Sequence, residues 1–259
     1  MSHHRIPRRL LLAGGALALA PITARADDDS LAKVRASGVL KVGNGGAFPP
    51  FEFVRDGTLS GFDIDMGNEL GRRMGLKVEW QVFDFAGLIG ALTSGRVDTL
   101  ITAFTATPER AARIAFSTPY YKTGIAAAYQ ADLTVVEPAD LAGKIVGVQS
   151  GTAGEKFVRD GWADKVKDLR TYNEFPLALS DLEIGRTQVV VNTLPVLRYN
   201  LTRSPKAKLK VTGAWDARDV GINTRLTDTT LLAAINSQLA AMTADGTLDK
   251  LNTQWFGAA

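Results

Sequence analysis

From Val39 onward, short apolar runs alternate with amphipathic ones. Residues 39–42 read as a strand, and Phe51-Glu52-Phe53-Val54 and Thr58-Leu59 flank Arg55-Asp56-Gly57, a hairpin signal. Ile64, Met66, Leu70 and Met74 recur at helical spacing over residues 63–74, and Gly75 follows where a left-handed residue closes a helix cheaply. Residues 76–82 then predict a strand, 85–93 a helix and 97–101 a strand. Short strands separated by helices indicate βαβ units.

The rhythm restarts further on. Residues 144–148, 169–172 and 189–192 predict strands, and 153–160, 177–184 and 195–201 predict helices. Two α/β units of about a hundred residues each are expected from that pattern. The last stretch, 229–256, is helical, with Leu231, Leu232, Ile235, Leu239, Met242, Leu248 and Leu251 as its apolar positions. With no strand of its own it must pack on a unit already built. Adding it to the first unit makes the chain cross twice, near Thr123 to Ala126 and near Arg218 to Val220, a topology that periodicity permits without deciding.

Composition then narrows the chemistry. At 46% hydrophobic and 22% charged, the 259-residue chain is ordinary globular material. Its net charge of +3 is carried by the first 26 residues, which hold Arg5, Arg8, Arg9 and Arg25 and no acid. Without those four, 26 basic residues face 27 acidic ones, a net of −1 that argues against a nucleic-acid-binding surface. There is no cysteine, and His3 and His4 are the only histidines. A Ser-His-Asp or Cys-His pair, a Cys/His zinc site and a disulfide framework are therefore excluded from residues 27–259. No metal ion and no cofactor is expected.

Residues 1–26 read as a signal peptide: a basic start, an apolar run over residues 10–20, and Ala24-Arg25-Ala26 as an Ala-x-Ala cleavage site. The run falls short of the roughly twenty residues that span a bilayer. Arg8-Arg9 before Leu10-Leu11-Leu12 resembles a twin-arginine signal, although Pro7 precedes the pair and no Lys follows, so Sec and twin-arginine export both fit. The expected location is the periplasm.

Thr102-Ala103-Phe104-Thr105-Ala106-Thr107-Pro108-Glu109-Arg110 carries the most chemistry. It leaves the carboxyl end of a predicted strand, where open α/β sheets bind ligands. Thr107 and Pro108 suit the N-cap and N1 positions of a helix. Arg110 then falls in the first turn, where the helix already presents positive charge. Either it points to water, or an external anion is clamped between its guanidinium and the helix N–H groups.

Gly38-Val39-Leu40-Lys41-Val42-Gly43, Phe48-Pro49-Pro50-Phe51-Glu52, Gly61-Phe62-Asp63-Ile64-Asp65, Thr107-Pro108-Glu109-Arg110, Phe116-Ser117-Thr118-Pro119-Tyr120 and Trp255-Phe256-Gly257 occur in that order. Together with residues 88–98, this set resembles the polar amino-acid-binding proteins of the periplasm, family 3 of the solute-binding proteins, which are capture subunits of ABC importers. The resemblance spans essentially all of the chain beyond residue 26. It implies an α/β, two-lobed type II periplasmic-binding fold, each lobe a mainly parallel sheet flanked by helices, with two hinge crossovers. Lobe 1 would be residues 27–123 plus 219–259, and lobe 2 residues 124–218.

Site residues follow by the same resemblance. Arg110 matches the arginine that binds the ligand α-carboxylate, Thr105 a hydroxyl residue that assists it, and Thr102 and Ala103 the lining positions before it. Phe48 and Phe85 match the bulky residues that sandwich the ligand side chain; as aromatics they also suit an ordinary core. Gln149, Thr152 and Ala153 match the strand-to-helix loop of lobe 2, where Ser150-Gly151-Thr152 also reads as a helix cap.

Two positions depart from the family pattern. Gly45 stands where an acid usually precedes the first aromatic, and Thr193, beside Asn192, stands where an Asp usually meets the ligand α-ammonium. No acid occurs between Glu183 and Asp216. A hydrogen bond to a charged group is worth roughly 1.5–3 kcal/mol, less than a dehydrated ammonium loses without a counter-charge. The expected ligand keeps a carboxylate for Arg110, while its amine is held by another group or is missing, as in an organic acid.

The expected protein is a monomeric binder, not an enzyme, that delivers a small polar carboxylate to a membrane ABC permease and binds no nucleic acid. The enzymatic alternative is a periplasmic dehydratase or lyase on the same scaffold, with Glu155 or Glu174 as acid/base. A ligand-presenting sensor component is a third reading, set back by the chain ending at Ala259 without a signalling domain.

Overall fold

The computed structural model describes Met1 and residues 28–203 and 208–257, so the expected signal peptide lies, Met1 apart, outside the described residues. After helix α1 (Ser30–Ser37), the first sheet begins with β1 (Val39–Asn44). A small three-stranded sheet follows, formed by β2 (Ala47–Phe48), β3 (Glu52–Arg55) and β4 (Thr58–Ser60), with Asp56-Gly57 as the turn of the predicted hairpin. Helix α2 (Phe62–Met74) turns Phe62, Met66 and Leu70 inward, and Gly75 caps it in the left-handed conformation with φ 70°. Next come β5 (Lys77–Val82), a 3-10 turn over Phe85–Gly87, α3 (Leu88–Thr93), β6 (Thr99–Leu100), α4 (Pro108–Ala111) and β7 (Ile114–Phe116).

The chain then runs through a ten-residue strand, β8 (Tyr121–Gln130), into a second sheet. That region adds β9 (Ile145–Gln149), α5 (Ala153–Gly161), β10 (Asp168–Tyr172), α6 (Phe175–Glu183), β11 (Val189–Thr193), α7 (Leu194–Arg203), β12 (Leu209–Val211) and β13 (Asp216–Val220). β14 (Asn223–Arg225) returns to the first sheet, and α8 (Thr229–Ala244) and α9 (Thr247–Phe256) divide the predicted terminal helix at Asp245-Gly246.

The first sheet has the order β5-β1-β6-β14-β7 and the second β10-β9-β11-β8-β12, with β13 also on β8. Each is parallel only on one side. β1 runs parallel to β5 and β6, and β9 to β10 and β11, whereas β14, β8, β12 and β13 pair antiparallel. β8, β13 and β14 belong to the segments that pass between the two sheets, and β12 closes one edge of the second. β8 and β13 lie side by side, with Thr123 opposite Arg218 and Tyr121 opposite Val220. Ile125, Ala126, Ala127 and Ala128 of β8 are wholly buried, so this strand is covered on both faces and shows no alternation. Among the described residues, no helix is long and apolar enough to cross a membrane.

Candidate functional site

Arg110 is built into place by its own loop. Thr105 forms an isolated antiparallel bridge with Val220, and the Ala106 N–H donates to Asp219 O, so β13 holds the loop. Thr107 caps α4 by accepting the Arg110 N–H, with Pro108 at the first position, as the sequence predicts. The Arg110 side chain does not point to water: the residue is 9% exposed. Its Nη1 donates to Thr105 O (2.8 Å) and Thr105 Oγ1 (2.9 Å), and its Nη2 to Gly151 O (2.9 Å) beyond the end of β9. The guanidinium carbon lies 3.9 Å from the Phe104 ring centroid.

No carboxylate among the described residues pairs with Arg110. Burial pushes its pKa down to about 10, helped by repulsion from Arg218 and opposed by Glu109. A guanidinium offers five N–H donors, and three go to the oxygens just named. One N–H on Nε and one on Nη2 are left. A buried charge without a counter-charge is costly, and a carboxylate is the group that matches both remaining donors.

The surrounding floor is aromatic. Phe48 stacks on Phe85 at 6.1 Å, Phe85 on Phe104 at 5.3 Å, and Phe175 of α6 meets Phe48 edge-on at 6.5 Å. All four rings are buried. They connect the Arg110 loop to the second sheet's helices.

Thr102 and Ala103 adjoin this floor, but their polar groups turn inward. Thr102 Oγ1 donates to Glu52 Oε1 (2.5 Å) and accepts from Gly45 N (3.1 Å), while Ala103, at φ 49°, donates its N–H to Asp63 Oδ2 (2.5 Å). Glu52 and Asp63 are both fully buried, and each shifts the ionisation of the other. Glu52 Oε2 and Asp63 Oδ1 have no hydrogen-bond partner, and a proton shared between the two acids would satisfy both. Burial and then the Asp63 charge hold Glu52 well above the usual carboxylate range. Burial raises Asp63 to about 7 against the stabilising pull of the Tyr120 hydroxyl and Ala103 N–H. Both shifts favour the protonated acid.

The opposite wall comes from α5. Thr152 is its N-cap, accepting from Glu155 N (3.2 Å) and donating to Gln149 O (2.7 Å), while Glu155 Oε2 accepts from Gly151 N (2.7 Å). The Thr152 hydroxyl and the Glu155 carboxylate are thus committed to the cap. Glu174 occupies the N-cap position of α6 and is exposed. Gly151, at φ 76°, has no room for a side chain, since a Cβ there would lie 2.8 Å from Ala86 Cα. The two walls touch at this point.

Gln149 and Thr193 are the last residues of β9 and β11, so both lie on strands, not in the loops that follow. Gln149 Oε1, Asn192 Nδ2 and Thr193 Oγ1 are buried without partners, and Thr193 donates its N–H to Asn192 Oδ1. This strand end offers neutral hydrogen-bonding atoms and no charge. A cavity of about 280 Å³ opens nearby between Thr107, Ala153, Phe157 and Arg218.

Sequence reasoning missed Phe104, the Gly151 carbonyl, Arg218, Phe175 and the Glu52–Asp63 pair. Phe-Glu-Phe alternation places Glu52 outward, yet Glu52 is buried and Phe53 only half-buried. The others depend on distant segments meeting, for which the sequence carries no local signal.

The model of the bacterial extracellular solute-binding proteins, family 3, matches residues 40–258. The L-cystine-binding protein TcyJ of Escherichia coli K12 is 36% identical over 238 residues, covering 90% of this chain and 88% of that protein. A mutant arginine-binding protein from T. maritima superposes with a TM-score of 0.83 at 33% identity, covering 88% of this chain and all of that one. AncCDT-1, an ancestral amino acid-binding protein and precursor of cyclohexadienyl dehydratase, gives 0.81 at 31% identity, with 88% and 99% coverage.

Proposed function

The chain belongs to the bacterial extracellular solute-binding proteins, family 3, and from that premise we propose that it captures an amino acid or related small carboxylate in the periplasm and presents it to the permease of an ABC importer. One observation carries this reading: Arg110 is buried, has no carboxylate partner among the described residues, and bridges the Thr105 loop to Gly151.

Two lobes, residues 27–123 with 219–259 and residues 124–218, would hinge on β8 and β13. A ligand touching both walls favours the closed arrangement by whatever extra contact it gains there. Arg110 and Thr105 would take the carboxylate, and Phe48 and Phe85 would flank the body of the ligand. Thr102, Ala103 and Ala153 would line the pocket by shape, and Thr152 would serve it by capping α5. The amine of an ordinary amino acid would find only neutral acceptors, Gln149 Oε1 and Thr193 Oγ1. That arrangement favours ligands whose amine is solvated, held by neutral oxygens, or absent.

The reading is a binder, not a catalyst. Glu155 is tied to Gly151 and Arg159, and the Glu52–Asp63 pair lies sealed below Thr102 and Ala103. The names of TcyJ and of the arginine-binding relatives point the same way. We take the protein to act as a monomer. Periplasmic location is supported by the family's extracellular character, with Sec or twin-arginine export as its route.

A thermal-shift panel tests the proposal by comparing cystine, arginine, lysine and other amino acids with deaminated and dicarboxylic analogues. Ligand at a hundredfold its Kd adds about 2.7 kcal/mol, enough to raise the midpoint by several degrees. The expected hits all carry a carboxylate and are lost in Arg110→Ala. Hits confined to compounds without a carboxylate would end the proposal, and hits confined to ordinary α-amino acids would refute the inference drawn from Thr193.

A further inference from the structure

A second cavity, of about 590 Å³, lies between α7 and the end of α9, over the start of β8. It shares no lining residue with the site around Arg110. One wall is aromatic: Tyr121, Tyr199, Trp255 and Phe256 are half-buried against it. The rest of the charged lining has one sign. Lys122, Arg198 and Arg203 line the cavity, no acid does, and none of the three forms an ion pair with a described residue. Asp219 stands opposite Lys122 in the β8–β13 ladder without closing a salt bridge. The Arg203 guanidinium carbon lies 3.6 Å from the Tyr199 ring centroid, and Arg55 approaches Trp255 at 5.9 Å while donating to the Tyr199 hydroxyl (3.2 Å). One rim cation, Arg203, is thus packed on the aromatic wall.

We propose that this cavity is a second ligand site, separate from the Arg110 cleft, for a small organic anion with a flat apolar body. The volume falls in the range of small-molecule sites, which combine apolar walls with a few placed polar groups. The half-buried rings provide a surface for an arene, and three unneutralised cations attract an acidic group at its edge. Tyr121, Lys122, Thr123 and Gly124 all belong to β8, and Leu194 directly follows Thr193, so an occupant rests on the strand that joins the two sheets.

The probe is 8-anilinonaphthalene-1-sulfonate, titrated by fluorescence into the purified protein. The expected result is saturable one-to-one binding, weakened about tenfold or more by Arg198→Glu, by Lys122→Glu, and by replacing the probe with uncharged N-phenyl-1-naphthylamine. Arg198 and Lys122 are exposed, and circular dichroism checks that both variants fold. Filling the Arg110 cleft with a ligand from the thermal-shift panel, or substituting Arg110→Ala, is expected to leave probe binding in place. Unsaturable binding, charge reversals that change affinity less than twofold, or displacement of the probe by the cleft ligand would each overturn the proposal. None of these results bears on whether Arg110 holds a carboxylate.

Discussion

Arg110 is a cation that the fold pays to bury. Its hydrogen bonds go to neutral oxygens, so removing it costs those contacts but also relieves an unpaired charge. Arg110→Met should therefore abolish ligand binding, by about a hundredfold or more in calorimetry, while shifting the ligand-free melting midpoint by only a few degrees. Arg110→Lys keeps the charge but not the planar fork, and should bind about tenfold more weakly than the natural protein. A lysine variant with unchanged affinity would show that charge alone suffices.

The acid pair beneath the site gives a pH dependence with a definite sign. Asp63 and Glu52 both have folded-state pKa values raised above those of the unfolded chain, so the folded state binds more protons. The contribution of Asp63 to stability is fully present below its unfolded value near 3.8 and is lost as pH rises through about 7, and that of Glu52 has the same sign. Glu52→Gln stays neutral, keeps a donor toward Asp63, and should flatten that part of the curve. Melting midpoints from pH 5 to 8 check this: the natural protein should lose stability relative to Glu52→Gln across the interval. A difference that grows in the opposite direction would rule out a shared proton. Arg110 was legible from its position two residues after Pro108, in the first turn of a proline-started helix, whereas this pair was not, because only the packed structure reveals which face of β3 is covered.

At the scale of elements, helices with a clear apolar period were readable. α2, α5, α6 and α7 begin and end within a few residues of their expected bounds. The elements that escaped were short or lacked periodicity. β7, β12 and β14 have three residues each, and β8 is small and apolar on both faces, which removes the alternation that identifies a strand. Gln149 and Thr193 follow the strands expected over residues 144–148 and 189–192, and each extends its strand by one residue. The cap of α5 was readable, and it sets a test. Thr152→Ala removes the hydroxyl bonded to Glu155 N and Gln149 O, which should cost about 1 kcal/mol. Denaturant titration should show that loss with an unchanged slope, and a variant as stable as the natural protein would remove the cap from the account.

At the scale of the whole molecule, the sheets meet where Arg110 reaches Gly151 and where Gly151 passes Ala86. A side chain at Gly151 would have to occupy a left-handed backbone conformation and push against Ala86. Gly151→Ala should therefore hold the lobes apart, enlarging the radius of gyration in small-angle scattering and weakening ligand binding several-fold through the smaller closed population. Equal scattering profiles and affinities would mean that closure does not pass through this contact. The double crossing by β8 and β13 was beyond the reach of periodicity, because it depends on which sheet accepts β14, α8 and α9.

The most direct test of the central claim is a double-mutant cycle by isothermal titration calorimetry, pairing the identified ligand and its carboxamide analogue with the natural protein and Arg110→Met. The account predicts that converting the carboxylate to the amide costs the natural protein about a hundredfold in affinity and costs Arg110→Met almost nothing. Equal affinity of the natural protein for acid and amide would contradict it.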